Sequence, residues 1–379
     1  YRGAVRTRGN SSRGDTPLNL RMDIPKDNNW NGRTDFTLNY KYSYSQLLGS
    51  RLFESAGVPT EKAGVVGARI NGVNRLLDQN GNRTFGYYCD LLPRGGDTIK
   101  EWFPGNDEGN GYGKIRGNVR WGVSTLPTIG AAGYAVGGYV NEGYNKQSNA
   151  ARNDWTDLDA WIQSLNAGTI ANFDSTIAST VDVDQWCRFL AIATIVNHAE
   201  TNMANGDDDD YSVYFGATDR LCRIIAHDLD TCFNLNAIGL GDEQAPPSMT
   251  IYQCTAPNYP TDSATLPQMD KFYRNPVLGR KFKASLRYYL DTIFAKPTFD
   301  ATVDRLLDPQ WMGTQFTPDG NTIRNHIKAF LDTRRTTIET FLPTAFTATT
   351  TLTVQNGFPR STSATDLGGL GGKIDPART

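Results

Sequence analysis

Acidic side chains crowd two places that lie close together in the chain. The first is an acidic loop, residues 199–210, which ends in Asn205-Gly-Asp-Asp-Asp-Asp210. The second is the HDLD segment, His227-Asp-Leu-Asp230. Carboxylates held close together repel one another unless a cation joins them, and sites made only of oxygen ligands suit Mg²⁺, Mn²⁺ or Ca²⁺. A run of Asp is also typical of a solvated turn or a structural Ca²⁺ site, so the sequence leaves these alternatives open.

The elements around these segments predict how they meet. A helix begins at Asp182, carries apolar residues at helical spacing and ends at Asn197-His198. After the acidic loop come two β-like runs, Tyr211–Phe215 and Leu221–Ala226, joined by a short turn. A hairpin returns the chain to its starting end, so both acidic segments are predicted at one end of it. Protein kinases use the same order of elements, with a metal-binding Asp that holds the nucleotide phosphates.

Composition excludes several classes of function. The 379 residues include 38 Lys and Arg against 40 Asp and Glu, a formal net charge of −2, which gives no broad attraction to nucleic acid. No apolar run approaches the about 20 residues that a membrane-spanning helix needs. The first residue is Tyr instead of Met, so we expect the numbering to start inside a processed or longer, multidomain chain.

The cysteines and histidines point away from zinc and from a Ser-His-Asp triad. The five Cys residues are an odd number, so at least one is free or paired between chains. Cys89 and Cys187 fall on apolar faces and are predicted to be buried thiols. Cys222 and Cys232 flank the strand end that carries the HDLD segment and could form a disulfide. The chain has neither a CxxC motif nor a Cys/His cluster and only three His residues.

Hydrophobic patterning predicts an α+β protein. Residues 1–92 show mainly the two-residue period of strands, with one helix over Tyr44–Ala56, and are predicted to form a small β-rich lobe. Residues 93–345 are predicted to form a mostly helical lobe, with a Gly/Asn-rich insertion or long loop at 95–146. Residues 346–379 are predicted to begin a further β domain or to form a tail.

Four segments resemble the spore-coat protein H (CotH) kinase family, in the variant found in large bacterial surface proteins. They are Arg6-Thr-Arg-Gly-Asn-Ser-Ser12; Leu47-Leu-Gly-Ser-Arg-Leu-Phe-Glu-Ser-Ala-Gly-Val-Pro59 with Ile70-Asn-Gly72; Glu200-Thr-Asn with Asn205-Gly and Tyr211-Ser-Val-Tyr214; and the HDLD segment. The resemblance implies an atypical, two-lobed protein-kinase-like fold. It also implies metal-dependent phosphoryl transfer from ATP to a protein hydroxyl, with Mg²⁺ or Mn²⁺, outside the cell or at the cell surface.

The resemblance also implies roles for individual residues. Asp228 and Asp230 are the metal residues, and Asp230 either ligates the metal or orients the backbone around Asp228. Glu200 is the first choice for the base that accepts the hydroxyl proton, and Asn205 is a metal or phosphate ligand. The catalytic candidates are Glu200, Asn205, Asp209 and Asp210, and the nucleotide-binding candidates are Arg8, Asn10 and Arg21.

Two departures from the family pattern keep a second function open. The family has a basic pair before its second strand, which supplies a nucleotide-contacting Lys, whereas Arg21 is the only basic candidate here. The family also has a catalytic Asp before the hairpin, and here Glu200, Asn205, Asp209 and Asp210 compete for its place. The alternative is a non-catalytic extracellular surface or matrix module with a kinase-like fold, a structural cation site (Ca²⁺ in that case) and a surface-assembly partner.

Overall fold

The structure is a computed structural model, and the chain forms two compact units in it, Tyr1–Ile338 and Glu339–Thr379. The residues that the structure describes are 3–9, 18–40, 42–74, 87–92, 96–115, 143–149, 151–152, 154–198, 201, 210–240, 245–252, 267–308, 319–343, 349–350, 353–355, 358–360 and 370–371. The lobe boundary predicted after residue 92 and the domain boundary predicted after residue 345 stay predictions.

The first unit mixes strands and helices. In chain order it begins with β1 (Ala4–Thr7), β2 (Leu20–Asp23), β3 (Asp35–Asn39), α1 (Ser43–Ser55), β4 (Ala63–Val66), β5 (Arg69–Ile70), β6 (Val73–Asn74), β7 (Tyr88–Leu91), α2 (Gly96–Trp102), β8 (Asn110–Ile115) and β9 (Gly143–Lys146). It continues with α3 (Thr156–Asn166), α4 (Phe173–Ile177), α5 (Val183–Val196), β10 (Tyr211–Phe215), β11 (Cys222–Ala226), α6 (Pro267–Arg274), α7 (Leu278–Asp291), α8 (Lys296–Leu306) and α9 (Gly320–Glu339). Short 3₁₀ helices lie at Lys26–Asn28, Ile170–Asn172 and Leu229–Ile238.

Two antiparallel sheets confirm the predicted α+β class. The first sheet has the strand order β1-β2-β3-β7-β4, and the second has the order β11-β10-β8-β9. In the first sheet Arg6 pairs with Arg21, and Arg21 pairs with Thr37, so these three side chains share one face. Arg8 lies two residues after Arg6 and therefore belongs to the same face.

The helix α1 forms where the sequence predicts a helix. Leu47, Leu48, Leu52 and Phe53 are all buried, as their spacing on one face indicates. The helix ends because Gly57 adopts a left-handed φ of 65°, and the amide of Val58 donates back to Phe53 O at 3.0 Å. This turn leads the chain directly from α1 into the strand β4.

The prediction of a long loop at residues 95–146 is wrong for the described part of this stretch, and its interpretation as an insertion stays a prediction. The stretch contains α2 and two strands, β8 and β9, of the second sheet; residues 116–142 lie outside the described part. The glycines in and beside β8 interrupt the apolar alternation that predicts a strand. They are present because neighbouring groups pack closely against them. A Cβ atom at Gly109 would lie 1.9 Å from Phe215 O, and one at Gly111 would lie 3.2 Å from Ile99 Cδ1.

The helix α5 joins the second sheet to the helices that follow. Asp182 is its N-cap, and its Oδ1 accepts from the Gln185 amide at 3.1 Å, as the sequence predicts. The Gln185 side chain donates to Ile224 O at 2.7 Å and accepts from the Ile224 amide at 2.9 Å. Trp186 Nε1 donates to Cys222 O at 3.1 Å. These contacts fix α5 along the edge strand β11 and so position the hairpin.

A buried arginine closes the other end of α5. Arg334 on α9 is fully buried, and its Nε and Nη2 donate to Thr194 O at 3.0 and 2.9 Å. The same guanidinium also donates to Met249 O and to Thr250 O. The last carbonyls of a helix lack the usual amide partner four residues on, so Arg334 adds donors to Thr194 O beside the C-cap amide of Asn197 and ties α5 to residues 249–250.

Several smaller predictions can be compared with the structure. Cys89, Cys187, Cys222 and Cys232 are all buried, and the disulfide considered between Cys222 and Cys232 does not form. Cys254 lies outside the described residues. None of the described helices is long and apolar enough to cross a membrane.

The second unit carries short strands. β12 (Thr349–Thr350) pairs with β15 (Leu370–Gly371), and β13 (Thr353–Gln355) pairs with β14 (Phe358–Arg360). All four strands lie within residues 346–379, for which the sequence predicts the start of a further β domain or a tail.

Candidate functional site

The hairpin β10–β11 brings the two acidic segments to one end. Tyr211 pairs with Ala226 at its open end, so Asp210, which precedes Tyr211, and His227, which follows Ala226, lie at the same end, with Asp228 next in the chain. Asp210 and His227 are both buried, whereas Asp228 is half-buried. Asp210, the last residue of the acidic loop, therefore lies at the same end of the hairpin as the HDLD segment, as the sequence predicts.

Asp228 has an unusual backbone conformation. Its φ of 48° and ψ of 57° lie in the left-handed region, which non-glycine residues rarely adopt. Such a conformation is kept only where the surroundings determine it, and it concentrates at functional sites. The next residue, Leu229, is buried and anchors the start of the 3₁₀ segment.

The helix α1 fastens itself onto this turn. Ser45 Oγ donates to Leu229 O at 2.8 Å, and Gln46 Nε2 donates to Asp228 Oδ1 at 2.9 Å. Gly49, one turn further along the helix, permits the close approach, because a Cβ atom there would lie 3.0 Å from Leu229 Cβ. One neighbouring pair of side chains on α1 therefore holds both the backbone and the carboxylate of the HDLD segment.

A chain of hydrogen bonds runs from Arg8 to Asp228. Arg8 Nη1 donates to Asn39 Oδ1, Asn39 Nδ2 donates to Gln46 Oε1 at 3.2 Å, and Gln46 Nε2 reaches Asp228. We call the two amide side chains, Asn39 and Gln46, the amide relay. It places the predicted phosphate-binding Arg8 and the predicted metal residue Asp228 at the two ends of one connected network.

Arg21 has other partners. Its Nε lies 2.9 Å from Asp23 Oδ1 and its Nη2 lies 2.8 Å from Asp35 Oδ2. The guanidinium is thus held by two carboxylates on the sheet face that it shares with Arg6 and Arg8. Its role in nucleotide binding stays a prediction, and the structure assigns it at least a structural ion pair.

His198 connects the helix α5 to the hairpin end. The ring is fully buried, its Nδ1 lies 3.5 Å from Thr231 Oγ1, and it packs edge-on to Phe53 of α1. Burial lowers the pKa of His198 to about 4, and interactions with the backbone of Asp210 and His227 offset part of that effect. His198 is therefore neutral at pH 7 and holds the end of the hairpin where the acidic segments meet.

Asp230 lies in the first turn of the 3₁₀ segment. Burial raises the pKa of the Tyr44 hydroxyl well above its usual value, and Tyr42 and the Asp230 carboxylate raise it further. The charge of Asp230 is thus felt by a fully buried residue of α1. This position fits an orienting role, while its role as a second metal ligand stays a prediction.

Only some of the residues predicted to bind a metal or to act in catalysis lie in the described part of the chain. Among the described residues, no three His, Cys, Asp or Glu side chains are grouped to hold an ion. Asp228 fits as one ligand, since Oδ1 accepts from Gln46 and Oδ2 has no hydrogen-bond partner in the described part of the chain. Glu200, Asn205 and Asp209, together with the nucleotide candidate Asn10, lie outside the described residues.

A small cavity of about 10 Å³ adjoins Asp228, which is room for one water molecule. Gln46, Thr60, Glu61 and His227 contribute to its walls, and Glu61 is itself buried. Two carboxylates near one cavity make the surroundings electronegative. Burial raises the pKa of the nearby Cys89 thiol; Asp90, Glu61 and Asp228 add to that increase, and Arg51 opposes it.

Three residues of this site were missed from the sequence: Asn39, Gln46 and His198. The signal available for Gln46 was its position beside Leu47 and Leu48 in a helix predicted to be buried, because a buried amide needs partners. His198 was noted only as the end of α5. Asn39 is the last residue of β3 and carried no signal that distinguishes it from a surface residue.

Comparison with known proteins bears on the same region. Residues 135–309 match a family model described as CotH kinase protein, which confirms the resemblance over that range. The match contains the acidic loop and the HDLD segment, whereas Arg8, Arg21 and α1 precede it. No curated protein matches the chain.

Proposed function

Because the chain carries a CotH kinase protein domain at residues 135–309, we propose that it is an atypical protein kinase. It would transfer the γ-phosphoryl group of ATP to a hydroxyl group of a protein. The observation that supports this most is Asp228, which stands in a left-handed turn after a hairpin with its carboxylate held by Gln46. Phosphoryl transfer depends mainly on positioning and on neutralising charge, and this arrangement serves both needs.

Asp228 and Arg8 would act on the nucleotide phosphates. Asp228 would offer Oδ2 to Mg²⁺ or Mn²⁺, which supplies charge neutralisation on the phosphate oxygens. Arg8 uses one nitrogen for Asn39, and its remaining N–H groups would donate to phosphate oxygens. The neighbouring Gly9 has a left-handed φ of 105°, which lets the backbone approach a phosphate closely.

The acceptor hydroxyl would be oriented from the acidic loop. We propose Glu200 as the group that accepts the hydroxyl proton, since it follows the fixed ring of His198 by two residues in the chain. Asn205, Asp209 and Asp210 are the other candidates of the loop. Asp210 is buried beside His198, which fits a structural role better than a catalytic one.

Fold arrangement and location belong to the same proposal. The first sheet with α1 would form the small lobe of a kinase-like fold, and the second sheet with the helices from α3 onward would form the large lobe. The family resemblance supports a location outside the cell or at the cell surface, where a protein phosphoacceptor would meet the enzyme.

One observation favours the second candidate function, a non-catalytic surface module with a structural cation site. Arg21, the only basic candidate of the second strand, is paired with Asp23 and Asp35 instead of being offered to a nucleotide. A kinase with this strand would lack a basic phosphate contact from Arg21, and we expect it to be slow.

Incubation with γ-labelled ATP and Mn²⁺ tests the choice. The wild-type chain should label itself, and Asp228→Ala should abolish the label. Asp291→Ala is the matched control, because Asp291 is an exposed carboxylate at the end of α7. Equal background label in wild type and Asp228→Ala would refute the kinase, and the surface module would then replace it.

A further inference from the structure

We propose that Asn39 and Gln46 are positioning residues for the metal ligand Asp228. The amide relay would hold one carboxylate oxygen of Asp228 so that the other faces the metal. This inference rests on the metal site in the proposed function and extends it to two side chains on β3 and α1, outside the matched family range.

The charges at its two ends fix the direction of the relay. A guanidinium can only donate hydrogen bonds and a carboxylate can only accept them. Asn39 must therefore present its oxygen to Arg8 and its nitrogen to Gln46, and Gln46 must present its nitrogen to Asp228. Reversing either amide would place two donors or two acceptors opposite each other. Only one orientation of the two amides therefore satisfies all three hydrogen bonds.

Burial makes that arrangement durable. Asn39 is 4% exposed and Gln46 is 1% exposed, so neither amide can turn towards water for an alternative partner. A hydrogen bond in such surroundings is stronger than one in water, and an unpaired amide there is costly. The relay thus restrains the Asp228 carboxylate before any metal arrives.

Groups that hydrogen-bond to a metal ligand orient it and tune its affinity, and their loss typically weakens metal binding by 10–100-fold. Gln46 stands in that relation to Asp228. Asn39 contacts the metal ligand only through Gln46, so its effect should pass through Gln46 as well. Substitutions of Asn39 and Gln46 should therefore not have additive effects on metal binding.

A substitution of Ser45 distinguishes the positioning of Asp228 from the simple attachment of α1 to the HDLD segment. Ser45 is the residue before Gln46, it is fully buried, and it bonds to Leu229 O instead of to the Asp228 carboxylate. Ser45→Ala would therefore remove a buried hydrogen bond from the same helix and leave the amide relay intact. It is the matched control for a purely structural effect.

The test is the dissociation constant of Mn²⁺ alone, measured by electron paramagnetic resonance on the full chain without nucleotide. Gln46→Met should weaken binding about tenfold, Asn39→Leu should weaken it by a smaller factor, and Ser45→Ala should leave it within about twofold of wild type. The double variant Gln46→Met/Asn39→Leu should bind like Gln46→Met alone, because the second change acts through a side chain already removed. Gln46→Ala replaces Gln46→Met if the latter does not fold.

The outcomes distinguish this inference from the proposed function. If Asp228→Asn binds Mn²⁺ like wild type, the metal site itself is wrong, and the inference falls with it. If Asp228→Asn loses the metal while Gln46→Met and Asn39→Leu keep wild-type affinity, only the positioning roles are refuted. Additive effects in the double variant would overturn the claim that Asn39 acts through Gln46.

Discussion

Gln46 and Asp228 are separated by 182 positions in the chain, yet the amide nitrogen of one lies 2.9 Å from a carboxylate oxygen of the other. The contact joins α1, which lies between two strands of the first sheet in the chain, to the turn that follows the hairpin β10–β11 of the second sheet. Asp228 is thus one of the points where the N-terminal elements contact the matched family range.

The first prediction concerns the metal. Mg²⁺ or Mn²⁺ should raise the melting temperature of wild type, because a ligand that binds only the native state stabilises it by mass action. Asp228→Asn should abolish this shift, whereas Asp230→Asn should retain part of it if Asp230 only orients the turn. Thermal denaturation at several metal concentrations measures both. An unchanged shift in Asp228→Asn would contradict the site.

The second prediction concerns the fit of α1 against the HDLD segment. Gly49→Ala should lower stability by about 1 kcal/mol, since its Cβ would press on Leu229 Cβ, an atom that cannot rotate away, and such overpacking outweighs the better helix propensity of Ala.

Urea denaturation of Gly49→Ala, beside Gly64→Ala, measures this. Gly64 is the control because it has open space around its Cβ position. If Gly49→Ala is the more stable of the two, α1 can move away from Leu229 at little cost.

The third prediction concerns pH. His198 has a pKa lowered to about 4 in the folded chain, against 6.5 ordinarily, so between these values the unfolded chain binds more protons than the folded one. Its contribution to stability is therefore complete above about pH 6.5 and is lost as the pH falls towards 4, by roughly 3 kcal/mol in all.

Denaturation of wild type and His198→Asn across pH 4–8 checks this prediction. Other groups titrate in this range too, but they are common to both proteins, so the difference between the two curves isolates His198. Parallel curves would show that the ring is not kept neutral by burial.

The fourth prediction concerns Arg334. Arg334→Leu should cost roughly 3 kcal/mol, because it removes several hydrogen bonds from a fully buried guanidinium to carbonyl oxygens, among them the two to Thr194 O near the end of α5. Arg305→Leu, on the exposed side of α8, should cost little. Urea denaturation compares the two. Similar losses in both variants would mean that the carbonyls find other donors.

Local patterns in the sequence were enough to predict some elements. The helices α1 and α5 follow from apolar spacing and from the caps at Asp182 and Gly57, and the hairpin β10–β11 follows from two β-like runs with a short turn. These signals are local, because each depends on residues within one or two helical turns or strands. They place the HDLD segment at the end of a strand without reference to the rest of the chain.

Other features depend on contacts that no local pattern reports. The strand β8 is hidden in a Gly-rich stretch, because the approach of Phe215 O that requires Gly109 comes from a strand about a hundred residues later. The amide relay is a similar case, since nothing near Asn39 or Gln46 indicates Asp228. The partners of Arg21 were also invisible, because the register of β2 and β3 brings Asp35 beside it.

The burial of α1 has a consequence for how this site could be regulated. Tyr44, Leu48 and Phe53 are each 1% exposed or less, and exposing one such side chain costs about 1.5–3 kcal/mol. Swinging α1 outward would expose several of them at once, at a cost comparable to the whole stability of a typical domain. The helix is therefore a permanent wall of the site, and its amide protons should exchange with solvent only when the protein unfolds globally. Any control over the site would have to act through access to it, with Asp228 already held in place.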